Sequence, residues 1–290
     1  MWPMPFIVGS PRSGTTLLRL MLDAHPLLAI PPETGFIPAV TPPTCSGNLS
    51  ADAFFEIVTS FSADAPAWHD FQLEAEDFRR ELNKFSPFTL REGLKCFYRM
   101  YARRFDKPRY GDKTPTYCRL MPMIEQLLPE AAFIHVIRDG RDASLSLREM
   151  WFAPAKDIKA LATFWRDNVL AGREGGRQIQ RYIELRYEQL ILEPTAELQR
   201  ICAFLELPYE SAMERYFERA PMRLAEHRER VQRDGRVLVT HEQRLWQQRA
   251  TTMPPDVGRI GKWRLEMTET EHRSFREVAG DLLDELGYKS

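Results

Sequence analysis

The chain has 290 residues, 43% of them hydrophobic and 28% charged, a composition typical of a globular protein with one large core or two smaller ones. Its 40 basic and 41 acidic residues give a net charge of -1, which argues against nucleic acid or an anionic membrane as a partner. Any anion-binding site is therefore expected to be local.

The sequence gives no sign of a disulfide framework, a metal centre or a membrane span. Its cysteines are scattered and form no CxxC pair; they are Cys45, Cys96, Cys118 and Cys202. No two histidines lie three or four residues apart. No apolar run is long enough to cross a bilayer, and the first residues do not have the pattern of a signal peptide. We expect reduced thiols, no bound metal, and a cytoplasmic protein or a domain of a longer one.

Three short apolar runs are each followed by a helical pattern. The predicted strands are Phe6 to Val8, Ala132 to Ile137 and Tyr182 to Tyr187, and the helices after them cover Thr15 to His25, Asp142 to Met150 and Thr195 to Leu205. A strand followed by a helix, repeated along the chain, is typical of βαβ units. The sequence therefore predicts an α/β fold, P-loop-like and three-layered, with a central mostly parallel sheet flanked by helices.

Two longer regions, near residues 41–105 and 209–248, have helical patterns broken by loops, and we interpret them as helical insertions near the substrate. In the second, Arg223 to Arg236 mixes acidic and basic residues, which favours the solvated face of a helix over a basic patch. A capping box from Thr268 to Glu271 begins a last helix that ends at Gly287. Because no repeat or low-complexity linker interrupts the chain, we expect one domain over residues 1–290.

The stretch from Gly9 to Thr16 has the glycine spacing of a phosphate-binding P-loop, but Thr15 occupies the position of the lysine. Backbone N–H groups from Ser13 onward can still converge on an anion at the N-terminus of the following helix. In nucleoside triphosphatases the lysine and Mg²⁺ neutralise the phosphates. A less charged group needs neither, and Arg12 could supply the cation. The alternative is a strand, turn and helix with incidental glycines.

The stretch AFIHVIRDGRDASLSL, from Ala132 to Leu147, places an arginine where the partner strand of a P-loop normally ends in an acid. Arg138 and Ser146 could both face a phosphate if the chain turns between them and enters a helix. The alternative is that Arg138 only pairs with Asp139 or Asp142 as scaffolding.

These two motifs resemble those of the sulfotransferases that use 3′-phosphoadenosine 5′-phosphosulfate (PAPS). Pro11 to Thr16 resembles the 5′-phosphosulfate loop of that family, and Arg138 to Ser146 resembles its 3′-phosphate motif. The run PRSGTTLLRLMLDAHP, followed by Glu33-Thr34, is especially similar to the tyrosylprotein branch, and related bacterial and polyketide-associated sulfotransferases share much of it. The similarity extends, with gaps, from about Phe6 to about Arg264.

The resemblance implies a function and its cosubstrate. The chain would transfer the sulfuryl group of PAPS to an acceptor hydroxyl and release 3′,5′-ADP, without a metal, because a sulfuryl group bears less charge than a phosphoryl group. The acceptor could be a carbohydrate, a lipid, a small metabolite, a carrier-tethered hydroxyl or a tyrosyl group. Gly35 stands where the tyrosylprotein enzymes have an arginine that binds acidic peptide, so the resemblance does not imply selectivity for peptides. The sequence indicates no oligomeric state.

The resemblance also implies roles for single residues. Glu33 would be the general base, and Lys113 would stabilise the departing charge, with Asp112 holding that lysine in place. Arg12 would add a second positive charge. The residues that would hold the nucleotide are Arg12, Ser13, Gly14, Thr15, Thr16, Arg138, Ser146, Tyr187, Arg259, Gly261 and Lys262.

The C-terminal loop from Val257 to Arg264 departs from the cytosolic family pattern RKGxxGDWK. Only the glycine, the tryptophan and the basic residue after it are kept, as Gly261, Trp263 and Arg264. Arg259 would then replace the usual basic pair that binds phosphate. Tyr187 resembles a family tyrosine near the adenine, and the alternative for this residue is ordinary sheet packing.

Two other functions stay open at this point. A P-loop nucleotide kinase shares the fold, but it requires a lysine at position 15 and an acid at position 138. A non-catalytic nucleotide-binding module would keep the loop but would need neither Glu33 nor Lys113. Within the sulfotransferase interpretation, His69 or His241 could replace Glu33 as the base.

Overall fold

The computed structural model describes residues 2–41 and 49–289. Within those ranges the strands are β1 Met4–Gly9, β2 Leu28–Ala29, β3 Arg109–Tyr110, β4 Asp112–Lys113, β5 Ala131–Ile137, β6 Tyr182–Arg186, β7 Arg230–Val231 and β8 Val237–Val239. The α-helices are α1 Thr15–Asp23, α2 Ile37–Val40, α3 Ala51–Ser60, α4 Ala75–Leu82, α5 Leu90–Arg103, α6 Met121–Leu127, α7 Gly140–Arg148, α8 Ile158–Gly176, α9 Tyr187–Leu192, α10 Pro194–Phe204, α11 Ala220–Leu224, α12 His241–Gln248, α13 Trp263–Glu266 and α14 Glu269–Glu285.

The central sheet has the strand order β4-β1-β5-β6, and all of its strand pairs are parallel. In β1, Phe6 lies opposite Asp112 of β4 on one side and Phe133 of β5 on the other. Every residue of β1 and β5 is buried, as expected when helices cover both faces of a parallel sheet. The predicted α/β fold with a central, mostly parallel sheet is confirmed.

Side chains of β1 alternate between two apolar cores, one on each face of the sheet. Phe6 packs against Phe133, with 5.4 Å between the ring centroids, in the core that includes residues of α3, α4 and α5. Ile7 belongs to the opposite core, which includes Leu18 of α1 and Ile201 of α10. This packing on both faces fixes the carboxyl ends of β1 and β5, from which the two motif loops begin.

Strand β4 is an element that the sequence pattern did not predict, because Asp112 and Lys113 precede Thr-Pro and look like a turn before a helix. In the structure β4 pairs with β1, and Lys113 lies opposite Ile7. A short 3₁₀ helix then begins at Pro115. The pairing carries Lys113 to the sheet edge beside the loop that follows β1.

The region near residues 209–248 is not helical throughout, since β7 and β8 form an antiparallel hairpin there. The prediction of a solvated helix face over Arg223 to Arg236 is wrong. Arg223 and Glu226 are buried, because Arg223 pairs with Asp23 at 2.6 Å and with Glu226 at 2.5 Å. Asp23 and Arg223 are 200 positions apart in the sequence, so no local pattern could predict this pairing.

The remaining general predictions stand as follows. The capping box of α14 is present, with Thr268 and Glu271 bonded reciprocally. Cys96, Cys118 and Cys202 are buried free thiols, whereas Cys45 lies outside the described residues. Across residues 2–41 and 49–289, no helix combines the length and apolar character that crossing a membrane requires. The interpretation of residues 1–290 as one domain stays a prediction.

Candidate active site

The loop between β1 and α1 ends at Gly14, whose φ of +96° lies in the left-handed region that glycine tolerates best. A Cβ atom at this position would lie 2.4 Å from Cδ2 of Tyr187, so a glycine is also required by the close packing of that ring. Helix α1 begins at the next residue, Thr15, and its first backbone N–H groups have no partner within the helix. The N-terminus of α1 therefore has the features of an anion site.

The structure brings the two sequence motifs into contact. Arg12 Nε donates a hydrogen bond to Ser146 Oγ at 3.1 Å, and Arg138 Nη1 donates to the carbonyl oxygen of Arg12 at 3.3 Å. The Arg138 guanidinium also lies over the ring of Tyr187, 4.4 Å from its centroid. Its Nη2 donates to the carbonyl oxygen of Arg259 at 2.8 Å, which connects the C-terminal loop to the same site.

Electrostatics at this end of the site favour an anion. Burial, and after it the neighbouring charge of Arg138, lowers the pKa of Arg12 to about 10. Two buried polar atoms, Ser13 Oγ and Arg138 Nε, have no hydrogen-bond partner among the described residues. Two adjacent guanidinium groups with an unused donor are stabilised when an anion binds between them.

The scaffolding alternative for Arg138 accounts for only part of its surroundings. Arg138 Nη2 is 3.7 Å from Asp142 Oδ2, which is a loose ion pair, and Asp139 pairs instead with Arg141 at 2.8 Å. The Asp142 carboxylate mainly accepts two backbone bonds of 2.8 Å each, from the N–H groups of Gly261 and Trp263. Asp142 thus holds the C-terminal loop beside Arg138.

A second pair of charged side chains lies next to the anion loop. Lys113 Nζ is 2.5 Å from Glu33 Oε1 and 3.3 Å from Thr16 Oγ1 at the start of α1. The Lys113 side chain is 4% exposed and the Glu33 side chain 53% exposed, so the base candidate is the member of the pair that a substrate can reach. Burial lowers the pKa of Lys113, and the charge of Glu33 opposes that shift.

The expectation that Asp112 holds Lys113 in place needs correction. The two side chains form no hydrogen bond, because neighbouring residues of a strand point to opposite faces of the sheet. Asp112 Oδ2 instead accepts hydrogen bonds from Thr34 Oγ1 at 2.7 Å and from Tyr98 OH at 2.8 Å. Burial raises the pKa of Asp112 to about 6. Asp112 therefore holds the residue after Glu33.

The Glu33 segment has further support from the chain around residue 114. The backbone N–H of Thr34 donates to Thr114 Oγ1 at 3.1 Å, and Thr34 Oγ1 lies 2.9 Å from the hydroxyl of Tyr117. That same hydroxyl accepts from the backbone N–H of Ile37 at 3.1 Å. These contacts are buried, and they restrict the backbone that carries Glu33 on both sides of Thr34.

Most of the predicted site residues line one cavity of about 640 Å³. Those at its wall are Arg12, Gly14, Thr15, Thr16, Glu33, Lys113, Arg138, Ser146, Tyr187 and Arg259. Ser13, Gly261 and Lys262 are not at the wall. The backbone N–H of Gly261 donates to Asp142, and the Lys262 ammonium pairs with Glu266.

The histidines that we considered as bases are not at the cavity. His69 is exposed outside it, and the ring of His241 contacts the carbonyl oxygen of His227 at 2.5 Å. His227, which the sequence did not single out, lines the cavity. Burial lowers the pKa of His227 well below its usual range, with the charge of Arg244 as the next cause. The sequence did not indicate its position because His227 lies in a mixed-charge run, which we interpreted as a solvated helix face.

Two arginines at the cavity were also missed by sequence reasoning. Arg230 and Arg244 both pair with Asp70, at 2.7 Å and 2.8 Å, and Asp70 is 2% exposed. The backbone N–H of Arg228 donates to the same carboxylate at 2.9 Å. Asp70 belongs to the first insertion and its three partners to the second, so this carboxylate joins the two insertions at one side of the cavity.

No cluster of three or more histidine, cysteine, aspartate or glutamate side chains suited to a metal ion occurs in the described part of the chain. At the end of β5, where a magnesium-binding P-loop protein has an acid, the side chain present is the guanidinium of Arg138.

Comparison of the sequence with known proteins shows similarity to sulfotransferases. The sequence model described as the Sulfotransferase family matches residues 3–211. The nodulation protein NoeE of Sinorhizobium fredii is 28% identical over 99% of this chain and 67% of its own length. Protein-tyrosine sulfotransferase A of Caenorhabditis elegans is 28% identical over 72% of this chain and 51% of its own length. The chain thus spans about two thirds of the first relative and about half of the second.

A structural comparison agrees with the fold. The sulfotransferase domain of the olefin synthase from Synechococcus PCC 7002 superimposes with a TM-score of 0.62 over 97% of this chain and 94% of that one, at 21% identity. At this identity the similarity establishes the α/β architecture described above.

Proposed function

The chain belongs to the sulfotransferase family, and from this premise we propose that it transfers the sulfuryl group of PAPS to an acceptor hydroxyl, releasing 3′,5′-ADP. In this reaction the bond from sulfur to the departing phosphate oxygen breaks while the acceptor oxygen bonds to sulfur. The acceptor loses its proton to a base. A P-loop kinase would require a lysine at position 15 and an acid at position 138, where this chain has Thr15 and Arg138.

The residues present suit a nucleotide with separate anionic groups at its two sugar ends. The backbone N–H groups at the start of α1, with Arg12, would hold the 5′ group. Arg138 and Ser146 would hold the 3′-phosphate, and the unpartnered donor Arg138 Nε supports this assignment. Tyr187, whose ring contacts the Arg138 guanidinium and packs on Gly14, would contact the nucleoside.

Glu33 and Lys113 would carry the chemistry. Glu33, half-exposed at the cavity, would accept the proton of the acceptor hydroxyl. Lys113 is buried between Glu33 and Thr16, so its ammonium faces both the base and the anion loop, and it would stabilise charge on the departing oxygen. Asp112 would act as a positioning residue, because it contacts Thr34 and not the reacting atoms.

The observation that carries this proposal is the position of the Lys113 ammonium, within reach of both the carboxylate of Glu33 and the hydroxyl of Thr16 at the start of α1. That geometry places a base candidate and a cation beside an anion site, which a non-catalytic nucleotide-binding module would not require.

The proposal is tested by incubating the protein with ³⁵S-labelled PAPS and a panel of acceptors in EDTA. The panel comprises a carbohydrate, a long-chain alcohol, a carrier-tethered hydroxyl and a tyrosyl peptide. Label in one acceptor class, with 3′,5′-ADP as the second product, is the expected outcome. A separate thermal-stability measurement without EDTA tests the alternative, since stabilisation by ATP with Mg²⁺ and none by 3′,5′-ADP would favour phosphoryl transfer.

A further inference from the structure

We call the part of the cavity around Glu33 the acceptor end. Its cationic side chains are already engaged in ion pairs. Arg230 and Arg244 are both paired with the buried carboxylate of Asp70, and Lys113 is paired with Glu33. An acidic acceptor would have to compete with these partners for a cation. It would also meet the exposed carboxylates of Glu33 and Asp64, which line the same cavity.

An aromatic ring lies beside the residue that follows the Glu33-Thr34 pair. A Cβ atom on Gly35 would lie 2.8 Å from Cε1 of Phe61, so the Phe61 ring occupies the space that a side chain at position 35 would take. Phe61 lines the cavity. One part of the cavity wall, beside the segment that carries the candidate base, is therefore aromatic.

An open groove on the protein surface adjoins the cavity. Three residues, Trp151, Leu238 and Gln247, line both the cavity and the groove. The groove floor contains the buried side chains of Met150 and Val239. Three charged residues at the groove, Glu149, Lys156 and Glu242, are exposed, and the Lys156 ammonium donates to the carbonyl oxygen of Met150 at 3.3 Å.

Large apolar side chains at this junction are left in contact with water. Trp151 is 45% exposed, Leu238 39% and Trp246, which also lines the groove, 54%. Phe152, at the cavity wall, packs edge-on against Trp151 with 5.5 Å between the ring centroids. A contiguous exposed apolar surface of this kind is typical of a ligand-binding groove, because covering it with hydrocarbon removes apolar area from water.

We propose that this groove binds the hydrocarbon chain of the acceptor, so that the enzyme sulfates a hydroxyl carried by an aliphatic chain. The inference rests on the proposed sulfotransferase function. Because the groove adjoins the cavity at Trp151 and Leu238, one molecule would place its hydroxyl at Glu33 and its chain over the apolar floor. The paired state of Arg230 and Arg244 argues against an acidic peptide in the same position.

The test uses primary alcohols of increasing length, from 1-hexanol to 1-decanol. Their dissociation constants are measured by tryptophan fluorescence with 3′,5′-ADP present and absent. Each added methylene should tighten binding by about threefold to fourfold in the wild-type protein. In Leu238→Asp the dependence on chain length should flatten, because a carboxylate would stand at the junction of cavity and groove.

Leu170→Asp is the matched control. Leu170 is 45% exposed on α8, close to the exposure of Leu238, and it lines neither the cavity nor the groove. Both variants place a carboxylate at a position that is already partly in water, so both should fold. The control should keep the wild-type chain-length dependence.

Two results would overturn the inference. One is a dissociation constant that does not change with chain length, or that changes equally in wild type and Leu238→Asp. The other is a wild-type dimer in sedimentation that Leu238→Asp converts to monomer, which would assign the groove to a second copy of the chain. Failure of 3′,5′-ADP to stabilise the protein would contradict the proposed function separately, so the two failures are distinguishable.

Discussion

The nucleotide end and the acceptor end of the cavity are built in different ways. The nucleotide end uses two contiguous motifs, which follow the adjacent parallel strands β1 and β5, and their side chains meet through the bond from Arg12 to Ser146. The acceptor end uses residues from both insertions, joined by the pairs from Asp70 to Arg230 and Arg244. The central sheet therefore positions the nucleotide end, whereas ion pairs between distant parts of the chain position the acceptor end.

This difference predicts how each end responds to change. The nucleotide end lies on a sheet that is packed on both faces, so a substitution there should affect ligand affinity more than folding. The acceptor end depends on a few buried ion pairs, so losing one partner should cost stability and leave nucleotide binding nearly unchanged.

The largest effect on stability is expected for Asp70→Asn. Removing the buried carboxylate leaves two arginines without their partner and should lower the free energy of unfolding by about 3 kcal/mol. Urea denaturation measures this change, and the affinity for 3′,5′-ADP should shift by less than about threefold. Asp77→Asn, which removes an exposed pair with Arg80, is the control and should cost no more than about 0.5 kcal/mol. Equal losses in both variants would remove the distinction between the two ends.

Glu33→Gln should reduce turnover by on the order of 10²-fold or more, because the amide cannot accept the acceptor proton. The affinity for 3′,5′-ADP should be retained, since Glu33 lies outside the two nucleotide motifs. Steady-state kinetics and calorimetry measure the two quantities. Glu56→Gln, an exposed carboxylate paired with Arg79, is the control and should leave both unchanged. Unchanged turnover in Glu33→Gln would exclude this residue as the base.

Arg138→Ala should weaken 3′,5′-ADP binding by about 10- to 100-fold, the expected effect of losing charge-assisted hydrogen bonds to a phosphate. Arg148→Ala is a suitable comparison because Arg148 lies on α7 but pairs with Glu271, away from the cavity wall. Calorimetry on both variants tests the assignment. Equal affinities would mean that Arg138 serves only as scaffolding.

Asp112→Asn should lower kcat by about tenfold while the KM for PAPS changes little, because the residue positions Glu33 and does not touch the nucleotide. Restoring the carboxylate as Asp112→Glu should not recover kcat fully, since the bond to Thr34 depends on side-chain length. A change in KM for PAPS and none in kcat would place Asp112 at the nucleotide instead.

The same residue gives a pH-dependent prediction for stability. Burial raises the pKa of Asp112 from 3.8 to about 6, so its contribution is present below about pH 4 and is lost as the pH rises through 6. Between those values the wild-type free energy of unfolding should fall relative to that of Asp112→Asn, by up to about 3 kcal/mol. Urea titrations of both proteins at pH 4 and pH 7 measure the difference. Parallel pH profiles would contradict the buried state of the carboxyl.

Sequence patterns could predict the sheet and the nucleotide end because both are local. The apolar runs at Phe6 and Phe133 are buried on both faces, and each motif directly follows its strand. The sequence pointed to Arg138 because this arginine follows a predicted strand at the position where a magnesium-binding P-loop protein has an acid. The expectation that Asp112 holds Lys113 in place needed correction, because two residues before Thr-Pro do not show the alternation of a strand, and Asp112 instead accepts from Thr34.

The acceptor end could not be predicted in the same way. Arg223 and Arg230 lie in a mixed-charge run that resembles a solvated helix, but they pair with carboxylates far away in the sequence, Asp23 and Asp70. The groove combines Trp151, which follows α7, with Leu238 of the β7–β8 hairpin. No local periodicity in the sequence predicted this hairpin. In the second insertion, ion pairs with distant residues therefore determined the structure, and the local sequence pattern did not predict it.

The central claim is a site that holds anionic groups at both ends of the nucleotide sugar, and calorimetry in EDTA tests it most directly. The protein is titrated with 3′,5′-ADP and, in parallel, with 5′-AMP, which lacks the 3′-phosphate. We predict that 3′,5′-ADP binds at least about tenfold more tightly, because only it engages Arg138 and Ser146. Equal affinities for the two nucleotides would contradict the account.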